Sequence, residues 1–226
     1  MTASIFMTEL ISKEQLERKK RSEQQLQTEG VPFIEHLPVI EGPPTAQLRS
    51  VEDVAWRAMC LNLVAVKGEG MGYERLTEII EQYGLREKFT RDEVAFIESA
   101  EPTDHERNQF TWRYEAYWVL LWGLSYIPEL GRPDQICDVP RSVKIMVDRT
   151  AEEFIHQSRL RDIEQILDAA DLIYRYHWAC RDANLVGNPP PAGLNGGVVL
   201  ERHYALNWLI GYPESDTDWD DISTDT

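Results

Sequence analysis

One stretch constrains this chain more than any other: Leu160 to Arg181, LRDIEQILDAADLIYRYHWACR. Its apolar residues Leu160, Ile163, Leu167, Ala170, Ile173 or Tyr174, and Trp178 recur at steps of three and four. That spacing puts side chains on one face of an α-helix. Glu164, Asp168, Asp171 and Arg175 are spaced four, three and four apart, so they stack along a second, polar edge. A packed stripe beside a charged stripe lets one helix serve as core element and polar hub.

Helix start signals recur along the rest of the chain. Ser12 with Gln15, Thr90 with Glu93, Thr103 with Glu106 and Thr150 with Glu153 fit the capping box. In that motif a hydroxyl and a side chain three residues on satisfy free backbone N–H groups reciprocally. Ser50 with Asp53 opens VEDVAWRAMCLNLVAV by related logic. Helices are therefore predicted from Ser12 to Gly30, from Ser50 into KGEGMG, from Tyr73 to Gly84 and from Thr90 through Ile97. Others run from Thr103 to Ile127, through a turn after Thr150, along the hub stretch, and over VVLERHYALNWLI to Gly211. The Thr103–Ile127 helix, with Trp112, Trp118, Leu121 and Trp122, is the most apolar and should be central, with the hub packed on it. Val143–Val147 is short and β-branched, compatible with either helix or strand. The expected fold class is all-α, a single domain of seven or eight helices.

Residues 1–30 contain a polar N-terminal helix, KEQLERKKRSEQQLQTE, expected at the surface or reaching to a partner. Residues 31–226 form the helical domain proper. Within it, VPFIEHLPVIEGPP has prolines at 32, 38, 43 and 44 that forbid a regular helix, so 31–49 should be an extended strap across the helical body. The tail, 212–226, is acidic, and Trp219 is its expected anchor.

Lys+Arg 23 against Asp+Glu 39 gives a formal charge of −16. Such a surface repels a phosphate backbone and anionic lipid, which argues against nucleic acid and membrane as partners. A protein with a basic surface fits, and so does a charge that serves solubility alone. Cys60, Cys137 and Cys180 are odd in number, far apart and form no CxxC, so neither a disulfide framework nor a zinc site is expected. They suit a reducing cytoplasm. MTASIFMTEL is too short and too acidic for a secretion signal, and no apolar run approaches the ~18 residues of a membrane span.

Candidate chemistry lies on three helices with a shared phrase. Arg57-Ala-Met-Cys-Leu-Asn-Leu-Val resembles Arg202-His-Tyr-Ala-Leu-Asn-Trp-Leu, and Arg113-Tyr-Glu-Ala-Tyr-Trp-Val-Leu is a looser copy. An unpaired buried charge is very costly, so Arg57, Arg113, Arg175 and Arg202 should meet Glu164, Asp168, Asp171, Glu115 and Glu201 in an internal network. Either the network fixes helix register and does no more, or it lines a cleft binding a small polar ligand. Arg113, Arg175, Arg202, Asp168 and Glu201 would then be the ligand-binding residues. His177 is either a hydrogen-bonded packing residue or a general base, and His203 is the second such histidine. His177, Glu115 and Asp171 are thus the catalytic candidates, and the sequence names no nucleophile.

Metal and phosphate motifs are incomplete. Glu153-Phe-Ile-His156 has the ExxH step of di-iron bundles, but there is no second ExxH. Asp216, Asp218 and Asp220 open like a calcium loop, yet Asp221 stands where its glycine belongs and no twelfth position follows. Glu78-Ile-Ile-Glu81 matches half the metal motif of all-α nucleotide pyrophosphatases, without the partner pair. GEGMG lacks the Lys-Ser/Thr of a phosphate loop. No metal or cofactor is expected.

LRDIEQILDAADLIYRYHWACR, ERHYALNWLIGY and WDDISTDT, together with RSEQQLQTEGVPFIEHLPVIE and FTWRYEAYWVLLWGL, resemble the family catalogued as domain of unknown function 4272. The resemblance extends from about Arg21 to the C-terminus. It implies one mostly helical domain of a typically bacterial, cytoplasmic protein, and it implies no activity and no site residues. Two classes of function stay open. One is a non-catalytic interaction or scaffold protein with a basic partner. The other is a small-ligand binder or enzyme using the Arg/carboxylate/His cluster.

Overall fold

Where the sequence offers a hydroxyl three residues before a carboxylate or carboxamide, the structure, a computed structural model describing residues 11–43, 46–211 and 219–226, starts a helix. In chain order the helices are α1 (Lys13–Glu29), α2 (Val51–Gly68), α3 (Tyr73–Tyr83), α4 (Arg91–Glu98) and α5 (Asp104–Thr111). They continue with α6 (Arg113–Gly123), α7 (Val139–Val147), α8 (Ala151–Gln157), α9 (Ile163–Leu185) and α10 (Gly196–Ile210). Short 3₁₀ turns cover Pro191–Gly193 and Trp219–Asp221, and the described residues contain no strand. The all-α class therefore holds.

The helices outnumber the seven or eight expected, and the surplus has two sources. Val143–Val147, which the sequence left between helix and strand, is the body of α7, capped by the Asp138 carboxylate on the Arg141 N–H. The predicted Thr103–Ile127 helix is interrupted at Trp112 and ends at Gly123, so it becomes α5 and α6. Beyond Gly123 the chain turns through Ser125 at φ 65, and the freed carbonyls find other donors. Arg159 and Arg161 donate their backbone N–H groups to Leu124 and Gly123 at 3.1 and 2.8 Å, and Arg161 Nε donates to the Trp122 carbonyl at 2.6 Å. These bonds satisfy the orphan acceptors at the C-terminus of α6. They also explain why the hub helix begins at Ile163 and not at Leu160.

α6 is buried from Tyr114 to Gly123 and packs against both α2 and α10. A helix apolar around its whole circumference belongs in the middle of a core. The hub, α9, was expected on α6, but its main neighbours are others. It packs on α10 and, on its other flank, meets α1. α10 is itself buried over most of its length, with Val198, Val199, Ala205, Leu206, Leu209 and Ile210 in the core, so it takes the layer between α6 and α9.

The polar edge of the hub is the seat of α1. Arg18 of α1, 1% exposed, donates to Asp168 at 3.0 Å and Glu164 at 2.5 Å, and Arg21 reaches Asp168 at 2.6 Å. Leu26 closes the contact at 0% exposure. Between α1 and α2 the described residues form neither helix nor strand. There Gln15 donates to the Ile40 carbonyl at 2.8 Å and Lys19 to that of Leu37 at 2.7 Å. Further on, the Gln47 and Arg49 N–H groups bond the Ile210 and Leu209 carbonyls at the end of α10.

Candidate functional site

Consecutive residues on an α-helix point about 100° apart, so Glu201, Arg202 and His203 on α10 face three directions. The structure follows this geometry. Glu201 meets Arg113 of α6 at 2.9 Å, Arg202 meets Glu115 of α6 at 3.0 Å, and His203 meets His177 of α9. The remaining candidates pair elsewhere. Arg175 forks onto Asp171 with bonds of 2.9 and 2.7 Å, Arg57 pairs with Glu93, and Asp168 and Glu164 take Arg18. The candidate residues are thus distributed over separate ion pairs and are not gathered into one constellation.

The Arg202–Glu115 pair is buried, with both side chains at most 4% exposed. Glu115 also accepts the Cys137 N–H at 2.5 Å, and Arg202 donates to the carbonyls of Leu130 and Gly131 at 3.1 and 2.9 Å. The pair therefore fastens the loop after α6 to α10. His177 and His203 hold Nδ1 atoms 2.8 Å apart, so one ring donates and the other accepts. Burial drops their pKa values to about 4 and about 3, with Arg181 adding to the effect on His177 and His177 to that on His203. A general base works best with a pKa near the operating pH, and these rings lie far below neutrality. Of the partial metal motifs, Glu153 accepts the Thr150 N–H, Glu78 pairs with Arg75 and Glu81 with Arg86. Asp220 accepts from the Thr90 hydroxyl at 2.7 Å, while Asp216 and Asp218 lie outside the described residues.

Both members of the Arg113–Glu201 pair line a cleft of about 520 Å³ between α4, α5, α10 and the Trp219 turn. Arg113 lies over the rings of Tyr204 and Trp219, 5.1 and 5.9 Å from their centroids. Burial raises the Glu201 carboxyl above its ordinary range, against the opposing pull of Arg113. The lining carries five carboxylates, those of Asp92, Glu93, Glu106, Glu201 and Asp220, against the single guanidinium of Arg113. Glu93 is 2% exposed, and its Oε1 accepts no hydrogen bond among the described residues. Phe96, Phe110, Trp112, Tyr204 and Trp219 supply ring surface to the same cleft. The result is an acidic, aromatic recess with an electrostatic preference for a cation.

Several of these residues escaped the sequence reading. Glu93 and Glu106 read as local helix caps, and they are caps, yet each also lines the cleft. Tyr204 was visible only as one aromatic residue in an apolar helix. Its hydroxyl donates to the Trp219 carbonyl, and Trp219, 2% exposed, is buried among Tyr204 and Trp208. Arg18 was hidden because α1 has too few apolar residues to look like a docking helix.

Comparison with known proteins gives one match. The model of a family described as a domain of unknown function (DUF4272) matches residues 18–222. No curated protein and no solved structure matches the chain. No helix among the described residues is long and apolar enough to cross a membrane.

Proposed function

The chain belongs to the family of domain of unknown function 4272, and on that premise we propose that it is a non-catalytic interaction protein. Its acidic, aromatic cleft takes a basic segment of a partner protein. The observation that carries this reading is the lining itself, five carboxylates and five aromatic side chains around one guanidinium. A lysine or arginine entering there gains carboxylate partners and ring faces together, a combination worth more in a recess than on open surface. The volume of about 520 Å³ accommodates one such side chain with its backbone. The net charge of −16 would speed encounter with a basic surface and make it salt-dependent. We read the chain as one domain working in a bacterial cytoplasm, a placement that three buried free thiols support.

Titration of the intrinsic tryptophan fluorescence with a nona-arginine peptide tests the proposal, because Trp112 and Trp219 line the cleft. The expected result is saturable binding that weakens with salt and is lost in the Asp92→Lys/Glu106→Lys double variant. Equal affinity of that variant would place the peptide elsewhere on the acidic surface and overturn the assignment, as would no binding at low salt.

The enzymatic reading has no comparable support. Its catalytic candidates His177, Glu115 and Asp171 are each committed to a different buried partner.

A further inference from the structure

A second cleft, of about 450 Å³, opens between α9, α10 and the loop that follows α6. Its charge is opposite to that of the first. Arg132, Arg161 and Arg202 line it, against the single exposed carboxylate of Glu129 among the described lining residues. In a chain of net charge −16 this is an unusual concentration of cations.

Two of these arginines have donor groups to spare. Arg161 spends Nε on the Trp122 carbonyl and Nη2 on the carbonyls of Ile127 and Pro128, at 2.6, 2.6 and 2.9 Å. Its Nη1 has no partner among the described residues, and no carboxylate lies within ion-pairing distance of it there. Burial lowers its proton affinity with no neighbouring anion to offset the effect. Arg202, 3% exposed, uses Nε on Glu115 and Nη1 on Leu130 and Gly131, which leaves Nη2 without a partner among the described residues. Of the three arginines on this cleft, Arg132 pairs with Glu29 and Asp134 and Arg202 with Glu115, whereas Arg161 meets only carbonyls among the described residues. A half-buried cation of this kind is poorly compensated, and a carboxylate supplied from outside would complete it.

Beside the polar side chains of Gln25, Gln165 and Tyr176, the lining has a continuous apolar part. Ala169, Leu172 and Ile173 of α9 and Leu206 of α10 present aliphatic surface, and the Trp122 ring lies 4.8 Å from the Arg161 guanidinium carbon. An occupant must therefore carry an anionic head and a hydrophobic body.

We propose that this cleft is a binding site for a small organic carboxylate, its carboxylate on the free amino groups of Arg161 and Arg202 and its apolar body against Ala169, Leu172 and Leu206. The site is separate from the acidic cleft, so a partner protein and a small anion would occupy different faces of α10 (Glu201 looks into one cleft and Arg202 into the other).

Isothermal titration of the full chain with hexanoate and with 3-phenylpropionate tests this, using inorganic phosphate and 1-hexanol as controls. Both carboxylates should bind at one site, with phosphate and hexanol each at least about tenfold weaker because each offers half of the chemistry. Arg161→Gln should weaken binding by about tenfold or more. Since Arg161 also ties the end of α6, a second variant, Ala169→Phe, fills the apolar floor without touching that tie. It should abolish binding while circular dichroism and the unfolding midpoint stay at wild-type values. Phosphate binding as tightly as the carboxylates would overturn the need for an apolar body. Failure of both carboxylates to bind would overturn the site, and so would binding that survives Ala169→Phe.

Discussion

His177 on α9 and His203 on α10 face each other through their Nδ1 atoms at 2.8 Å, and burial keeps both rings neutral. Their folded pKa values, about 4 and about 3, lie below the ordinary 6.5. The unfolded chain therefore binds more protons than the folded one below pH 6.5, and stability must fall as pH drops through that window. It is fully present above it. Each ring contributes at most about 1.4 kcal/mol per pH unit. Urea unfolding at pH 7.5, 6.5 and 5.5 should show a falling midpoint, and His203→Gln should flatten that slope even if it lowers stability throughout. An unchanged slope in the variant would assign the acid sensitivity to other groups.

The two arginines that α6 and α10 exchange should separate by burial. Arg202→Ala leaves Glu115 charged and sealed, at 2% exposure, and removes two carbonyl bonds that hold the loop after α6. A loss of about 3–5 kcal/mol is expected for such a stranded charge. Arg113→Ala strips a pair whose arginine is 23% exposed, and solvent can reach what remains. Its cost should be about 1 kcal/mol, with the larger effect on peptide binding in the acidic cleft. Denaturant midpoints for both variants, measured side by side, check the order. Equal losses would mean that burial does not govern these pairs.

How much of this could be read in the sequence depends on the range of the interaction. Capping boxes act over three residues, and those at Ser12, Thr90, Thr103 and Thr150 were visible and form. The all-α class and the terminal glycines at 30, 84 and 211 followed from equally local signals. Pairings between distant helices were another matter. The spacing of Glu164 and Asp168 marked a polar edge, but nothing local to α9 says that Arg18, roughly 150 residues away, is its partner. The similar Arg phrases on α2, α6 and α10 marked arginines that do meet carboxylates, but not how those pairs are placed relative to one another. Periodicity tells which residues share a face of one helix, whereas a site needs the rotation of each helix about its own axis relative to its neighbours. On α10 that rotation sends Glu201, Arg202 and His203 to three separate partners.

The glycine-rich KGEGMG, which resembles a phosphate loop only in composition, should divide by position. A Cβ on Gly68 would sit 2.5 Å from the Thr111 hydroxyl and 2.8 Å from the Arg107 carbonyl, so the close approach of α2 and α5 requires its absence. Gly72 has nothing within 4 Å of such a Cβ and an ordinary φ of −66. Gly68→Ala should therefore destabilise by about 1–3 kcal/mol through overpacking against backbone. Gly72→Ala should be neutral within about 1 kcal/mol, since what it loses at the start of α3 is offset by a less flexible unfolded chain. Thermal unfolding of the two variants distinguishes them, and a stable Gly68→Ala protein would show that α5 yields.

Arg18 poses the sharpest question about what holds α1 in place. Its guanidinium is 1% exposed, yet its carboxylate partners Glu164 and Asp168 are 41% and 46% exposed, and its Nη1 is buried without a hydrogen bond among the described residues. The charge therefore bears much of its desolvation cost for partners that water already solvates. The long aliphatic stem, by contrast, is packed and contributes as an apolar side chain would. Arg18→Met should keep the packing, remove the orphan donor and return the carboxylates to water, for a change of about 1 kcal/mol or less. Arg18→Ala should cost about 2–3 kcal/mol through the cavity it opens. Arg18→Glu places a fourth acidic group beside Glu14, Glu164 and Asp168 and should release α1 from the hub. Limited proteolysis within residues 13–29, run alongside denaturant unfolding, reads out both effects. If Met proved as damaging as Ala, the ion pairs and not the stem would be what fastens α1, and the polar edge of α9 would owe its role to charge.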